Sequence, residues 1–303
     1  AHPGLTGEEP AEVIRICQDC ASLVPDLHPT NLEYSLAMLE PVARGSNAAL
    51  CAFDLAFHDL LGLDTGLPLY KLLGGYRNSI PTSATVPIAR LDETVEMAQA
   101  LARRGFRILK IKGGLDPELD VQRLRAVRRA LPALTLRLDA DGGYTTRSAL
   151  DVAGALREEL EMLEQPTPAD DLEALREVSR QSPVPVIADQ SVRGPASALE
   201  LASGRYAHGL CVKVATCGGL RCARQVENIA RAAGLSAMVS CVIEPGLLIS
   251  AGLSLALSSP GVRYADLDGF LDLQDDPSTP GFTLEEGVLR ATDVPGLGGN
   301  VEI

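Results

Sequence analysis

The sequence predicts an α/β protein, a (β/α)8 barrel of TIM type preceded by a partial, mostly helical capping domain. Three observations predict it. From Ser79 onward strand-like and helix-like segments alternate, with eight strands in all and one helix after each but the last. Charged residues end the apolar runs at a near-constant step: Glu164 follows Asp139 by 25 residues, Asp189 follows Glu164 by 25, and Lys213 comes 24 later. That step is the length of one strand, one helix and two short loops. Finally, 303 residues with 46% hydrophobic content suffice for one large core.

Residues 1–77 read as helices and loops: EEPAEVIRICQDCASLV, LEYSLAMLEPVARG, SNAALCAFDLAFHDLLGLDTG and LPLYKLLGGYR. The third has apolar residues at helical spacing and meets its stop signals at Gly66 and Pro68. The barrel is expected over 78–268. IPTSATVPI reads as its first strand, LDETVEMAQALARRG as a helix, RILKIK as a strand, PELDVQRLRAVRRAL as a helix and LTLRLDAD as a strand. The same rhythm continues through LEMLEQP, PVPVIADQS, HGLCVKVA, LSAMVSCVI and VRYADLD, with a helical segment between each pair. Residues 269–303, rich in Gly, Pro and Asp, are expected to run back over the surface of barrel and cap.

Composition excludes several partners. A formal charge of −13 argues against nucleic acid and anionic membranes, which need a basic footprint, and suits a cation. The longest apolar stretch, Gly246 to Leu257, is too short and too rich in Ser and Gly to span a bilayer. Seven cysteines show no paired framework, and Cys17 and Cys20 form a lone CxxC that reads as one face of an amphipathic helix. Reduced thiols and a cytoplasmic location are therefore expected.

The chain has 27 basic residues but only four lysines, and Lys110, Lys112 and Lys213 lie at the ends of apolar runs. A desolvated ammonium can release its proton near neutral pH whereas a guanidinium cannot, so retention of lysine here suggests acid/base chemistry. Asp139, Glu164 and Asp189 come from three successive strands, and their carboxylates are expected to converge at the barrel mouth. Each alone could cap the following helix. Three in phase instead call for a divalent cation, and a hard oxygen donor set favours Mg2+, or Mn2+, over zinc. Lys110 and Lys112, two apart on one strand, point to one face; Lys213 sits four strands round from Lys112. Lysines flanking a metal suit removal of a proton α to a metal-held carboxylate and its return on the opposite face, with each lysine's pKa lowered toward the working range. Asp266 and Asp268 are read as two apart on one strand, suited to a substrate ammonium, although Asp268-Gly269 is also a turn dipeptide.

These residues resemble the enolase superfamily, specifically its muconate lactonizing enzyme subgroup. The matching pieces are KIK at 110–112, DAD at 139–141, LEQP at 163–166, ADQS at 188–191 and VKVATCGG at 212–219, with FDLAFHDLLGLDTGLPLYKLLGG similar to the helix and linker before the barrel. The DLD at 266–268 and Glu244 in SCVIEPG look like the dipeptide epimerases of that subgroup. The resemblance implies Mg2+ on Asp139, Glu164 and Asp189, α-proton exchange by Lys112 and Lys213, enolate support from Lys110, and substrate binding by Asp266, Asp268 and Glu244. It implies inversion at the C-terminal residue of a dipeptide through a metal-stabilised enediolate, and a homo-oligomer is expected. Cycloisomerase, o-succinylbenzoate synthase and N-acylamino acid racemase are the alternatives within the subgroup; a Schiff-base aldolase or a non-catalytic barrel are those outside it. The subgroup usually reads DAN and DES where this chain has DAD and DQS, so Asp141 and Gln190 are expected to compensate near the metal. Its members begin with strands that supply a mobile loop over the site, and this sequence starts after them.

Overall fold

The computed structural model describes residue 1 and residues 3–301. The first part is helical: α1 (Pro3–Thr6), α2 (Pro10–Ala21), α3 (Leu32–Ala43), α4 (Asn47–Thr65) and α5 (Leu69–Leu72). Ile16, Cys20, Leu36, Leu39, Ala43, Ala49 and Phe57 come from α2, α3 and α4 and form a small separate core. The Ser46 side chain accepts the Ala49 N–H to start α4, and Gly66, with φ 69°, ends it in the left-handed region. The thiols of Cys17 and Cys20 lie on α2 and are free.

The alternation then builds the barrel: β1 (Ser79–Pro81), β2 (Ala84–Val86), α6 (Leu91–Arg103), β3 (Ile108–Lys112), α7 (Pro117–Ala130), β4 (Thr135–Asp139), α8 (Thr146–Ala155), β5 (Leu160–Glu164), α9 (Leu172–Gln181), β6 (Val186–Ala188), α10 (Pro195–Gly204), β7 (Gly209–Lys213), α11 (Leu220–Ala232), β8 (Ser236–Ser240), α12 (Gly246–Ser258) and β9 (Val262–Asp266). Strands β2 to β9 pair in chain order, all parallel. Among the described residues no ladder joins β9 back to β2. The seam is instead bridged by Ser83 N–H to the Ala265 carbonyl at 3.2 Å, and by Arg137, whose Nη1 donates to Ser83 Oγ at 3.1 Å and to the Ala265 carbonyl at 2.9 Å.

One expectation changes here. IPTSATVPI is two strands rather than one, because Pro81 has no N–H and the chain turns after it. Ser79–Pro81 pairs antiparallel with β12 (Val288–Ala291) of the C-terminal segment, and only Ala84–Val86 enters the barrel. The C-terminal segment holds β10 (Ser278–Thr279), β11 (Phe282–Glu285), β12 and β13 (Asn300–Val301), and it buries Phe282, Leu289 and Leu297. The helix α12 is apolar all round because α5, β8, β9 and the C-terminal strands cover it.

Cap and barrel meet through α4. Asp54 is fully buried, and its two oxygens accept the N–H groups of Leu220 at 2.6 Å and Arg221 at 3.2 Å, the open N-terminus of α11. Gly219, at φ 117°, is required there: a Cβ would lie 2.4 Å from Asp54 Cγ. No described helix is long and apolar enough to cross a membrane.

Candidate active site

Successive inward positions on a parallel strand are two residues apart, so each barrel strand contributes one inward side chain per layer. The lower layer is apolar: Met162, Ile187, Cys211, Met238 and Tyr264 form one buried cluster. Two residues further along the same strands stand Glu164, Asp189, Lys213, Ser240 and Asp266. With Lys110 and Lys112 on β3 and Asp139 on β4, Asp189, Lys213 and Asp266 line a cleft of about 580 Å³ at the C-terminal end of the strands, while Glu164 and Ser240 are buried. Register places Lys112 beside Asp139, and Asp139 beside Glu164.

The three lysines are held by different carboxylates. Lys110, 5% exposed, is hydrogen-bonded to Asp266 and lies 3.4 Å from Asp139 and 3.7 Å from Glu164. Lys112 Nζ donates to Asp139 and to Asp141, each at 2.8 Å. Lys213 Nζ donates to Asp189 Oδ2 at 2.6 Å. Burial opposes the charge of each, yet the facing carboxylates outweigh it and hold all three above the ordinary lysine range. The reason is that each ammonium lies within reach of at least one carboxylate, and opposite charges favour the protonated form.

Glu164 marks where a cation fits. It is fully buried, and neither carboxylate oxygen has a hydrogen-bond partner. Burial, then Asp139 and other nearby carboxylates, push its pKa well above the usual range despite Lys110. A buried carboxylate left unpaired is costly, and a divalent ion removes that cost. Ligand atoms of Glu164, Asp189 and Cys211 lie within 4.8 Å of one another. Asp139 falls outside that group, drawn toward Lys112 and Lys110. Burial raises the Cys211 thiol well above its ordinary value, so the hard donors present are the carboxylates.

The remaining candidates separate. Strand β9 ends at Asp266, and Asp268 lies past it, at the start of a 3-10 turn over Gly269–Asp272. Asp266 is 1% exposed and accepts from Ser83 at 2.6 Å and Ser240 at 2.8 Å as well as from Lys110, which hold its carboxyl below the usual range against burial. Asp268 lines the cleft and accepts the Thr85 N–H at 2.6 Å; burial and then Asp266 raise its pKa to about 6. Glu244 does not line the cleft. Its Oε1 accepts the Val242 N–H of its own loop at 2.8 Å, and burial raises it to about 7.

Three supporting residues carry no role in the sequence reading. Ser83 and Ser240 hold Asp266, and Gln165, at φ 33°, accepts the Asp189 N–H on its Oε1 at 2.8 Å while donating to Ser191. Gln165 thus ties the end of β5 to the end of β6, the two strands that present Glu164 and Asp189. Its place in LEQP, directly after an inward carboxylate, was the available signal. The departures Asp141 and Gln190 are in contact: Gln190 Nε2 donates to Asp141 Oδ1 at 2.9 Å.

Comparison with known proteins agrees with this geometry. The family model for Enolase C-terminal domain-like proteins matches residues 93–302. The L-Lys-D/L-Arg epimerase of Methylococcus capsulatus is 40% identical over 266 residues, 87% of this chain and 74% of that protein. The hydrophobic dipeptide epimerase of Enterococcus faecalis is 33% identical over 98% of this chain and 85% of its own length. The structure of dipeptide epimerase from E. faecalis V583 complexed with Mg and the dipeptide L-Leu-L-Tyr superposes with a TM-score of 0.95 at 32% identity, covering 99% of this chain and 86% of that one. That of the M. capsulatus dipeptide epimerase with Mg and L-Arg-D-Lys gives 0.92 at 34% identity, covering 98% and 85%. The chain belongs to the Enolase C-terminal domain-like family of the enolase superfamily, whose members similar to it include dipeptide epimerases and a muconate cycloisomerase of Rhodococcus opacus.

Proposed function

We propose that the chain is an Mg2+-dependent epimerase that inverts the C-terminal residue of a dipeptide. The observation that carries this reading is the placement of Lys112 on β3 and Lys213 on β7, four strands apart in an eight-stranded barrel, with the unpartnered Glu164 carboxylate on β5 between them. Glu164, Asp189 and Asp139 are the residues that would hold the metal, and the ion supplies positive charge against the negative charge that develops next to the substrate carboxylate.

The chain's own residues supply the proton path. One lysine, as the free amine, takes the α-proton: a C–H bond breaks and an N–H bond forms. The other, as the ammonium, delivers a proton to the opposite face and becomes the amine. Lys110, fixed by Asp266, Ser83 and Ser240, stays protonated and adds positive charge beside the reacting centre. Asp268 is the carboxylate open to receive the dipeptide's α-ammonium, since Asp266 is committed to Lys110.

A cationic side chain is the favoured substrate feature. Asp272, exposed, lines the same cleft one turn beyond Asp268, and each lysine of the cleft is already paired with other carboxylates. The relative named for L-Lys-D/L-Arg epimerisation is consistent with this. Seven free cysteines support the cytoplasmic assignment, and the expectation of a homo-oligomer, read by light scattering, belongs to the same proposal.

The test is incubation with Mg2+ in D2O and a library of L,L-dipeptides, followed by mass spectrometry for deuterium at the C-terminal α-carbon. Exchange strongest with Lys- and Arg-containing dipeptides is expected. No exchange with any dipeptide would sink the reading; exchange without that preference would remove only the cationic refinement.

A further inference from the structure

Lys112 and Lys213 differ in how they are tethered. Lys213 has one carboxylate partner, Asp189. Lys112 stands between two, each at 2.8 Å: Asp139, whose side chain is 1% exposed, and Asp141, 45% exposed at the rim. Asp141 is itself held from three directions. Its Oδ2 takes Lys112, its Oδ1 takes Gln190 Nε2 at 2.9 Å, and its backbone N–H donates to Asp139 Oδ1 at 3.1 Å. Its φ of 46° lies in the left-handed region, which a residue with a side chain adopts when its surroundings fix it. The bond from Gln190 crosses from the loop after β6 to the loop after β4, so the rim carboxylate is braced by an element other than its own.

We propose that Asp141, braced by Gln190, is a positioning residue for Lys112. It offers the Lys112 ammonium a partner other than the carboxylate that the cation also requires, and it keeps Nζ on one face of the substrate carbon. A lysine side chain turns about four bonds, and displacement of a reacting group by about 1 Å can cost roughly 100-fold in rate. The effect is one-sided, because among the described residues no second carboxylate braces Lys213. The inference rests on the reading that the two lysines serve opposite faces of the α-carbon.

One-sidedness has a signature that net inversion cannot show. Inversion uses both lysines in either direction, so damage to one slows both directions alike. Deuterium that enters an epimer with retention of configuration needs only the lysine on that epimer's face. The experiment therefore follows retained exchange by NMR, from each epimer of one dipeptide separately, in D2O at saturating Mg2+, for the parent, Asp141→Asn, Asp141→Glu and Gln190→Ala, with thermal unfolding recorded for each.

Asp141→Asn is expected to slow retained exchange of one epimer by roughly 10- to 100-fold and of the other by less than about 3-fold. Gln190→Ala should slow the same epimer by a smaller factor, and Asp141→Glu should recover part of it. Equal slowing of both epimers by Asp141→Asn, or an effect of Gln190→Ala on the opposite epimer, would overturn the proposal. If the parent exchanges neither epimer, the assignment of the two lysines fails first, and this inference falls with it.

Discussion

The lower and upper inward layers of the barrel are built on the same strands, two residues apart, and they solve opposite problems. Met162, Ile187, Cys211, Met238 and Tyr264 fill the lower layer with apolar volume. At that level Arg137, in register with Lys110, is fully committed: Nε donates to Glu161 at 2.7 Å, Nη1 spans the seam, and the guanidinium lies 5.2 Å from the Tyr264 ring centre. In the upper layer lysines and carboxylates crowd together, and neither oxygen of Glu164 has a hydrogen-bond partner, Lys110 standing 3.7 Å away. A shift of one inward position thus separates side chains chosen for packing from side chains kept at a cost to stability. Residues that break local rules of satisfaction mark the places where chemistry, not folding, set the choice.

The comparison breaks first if the upper layer proves to be structural. Lys213→Ala should slow interconversion of dipeptide epimers by roughly 10²- to 10⁴-fold with little change in melting temperature, followed by NMR. A variant that melts far lower but retains its rate would place Lys213 with the packing layer. Glu164→Gln comes next. Calorimetric titration with Mg2+ should show a loss of affinity larger than the roughly 10- to 100-fold typical of residues that only support a ligand. The same variant should melt higher than the parent without metal, because it removes a buried carboxyl group that has no hydrogen bonds and whose ionisation folding opposes. If its metal-free melting temperature falls instead, the carboxylate was not the strained element.

Met238→Ala tests the other layer. A buried methionine replaced by alanine costs about 2–5 kcal/mol, read by urea unfolding, while the rate per folded molecule should stay within about 2-fold. The smallest effect concerns Asp268. Its carboxyl is raised from 3.8 to about 6 by burial and by Asp266, so the folded state disfavours its charge. Below pH 3.8 that penalty is absent, and it is complete above about 6; Asp268→Asn should therefore stabilise the fold at pH 8 and not at pH 3.5. In the proposed role the ionised form captures the substrate, so kcat/KM of the parent should fall as pH drops through about 6. A flat profile there, with the stability difference present, would separate Asp268 from ammonium binding.

Much of this layering was legible because the strand period is fixed. Charged residues that end apolar runs at a repeat of one βα unit must lie at one end of one barrel, so Lys112, Asp139, Glu164, Asp189 and Lys213 announce themselves by position. What escaped was contact across the sheet. Asp266 and Asp268 look equivalent in sequence, yet the strand stops between them, and Ser83, Ser240 and Lys110 take only the first. Glu244 follows an apolar segment as the others do, but its loop folds the carboxylate onto its own Val242 N–H. Which carboxylates hold each lysine was hidden for a related reason: that depends on hydrogen-bond reach, which is a distance rather than a pattern. IPTSATVPI was read as a single strand because its partner strand lies near the other end of the sequence.

That last pairing bears on how the molecule is made. During synthesis the segment Ser79–Pro81 leaves the ribosome long before Val288–Arg290, and Ser83 before Ala265, so both edges of the nascent sheet stay open until most of the polypeptide has been translated. Contacts so distant along the chain are slow to form, and exposed strand edges in the interim invite pairing with other chains. The cap, whose core comes from one continuous early stretch, has no such wait. The register thus limits when each contact can form: the clasp at Ser79 must wait for Arg290, while the core of α2, α3 and α4 needs no residue beyond Phe57.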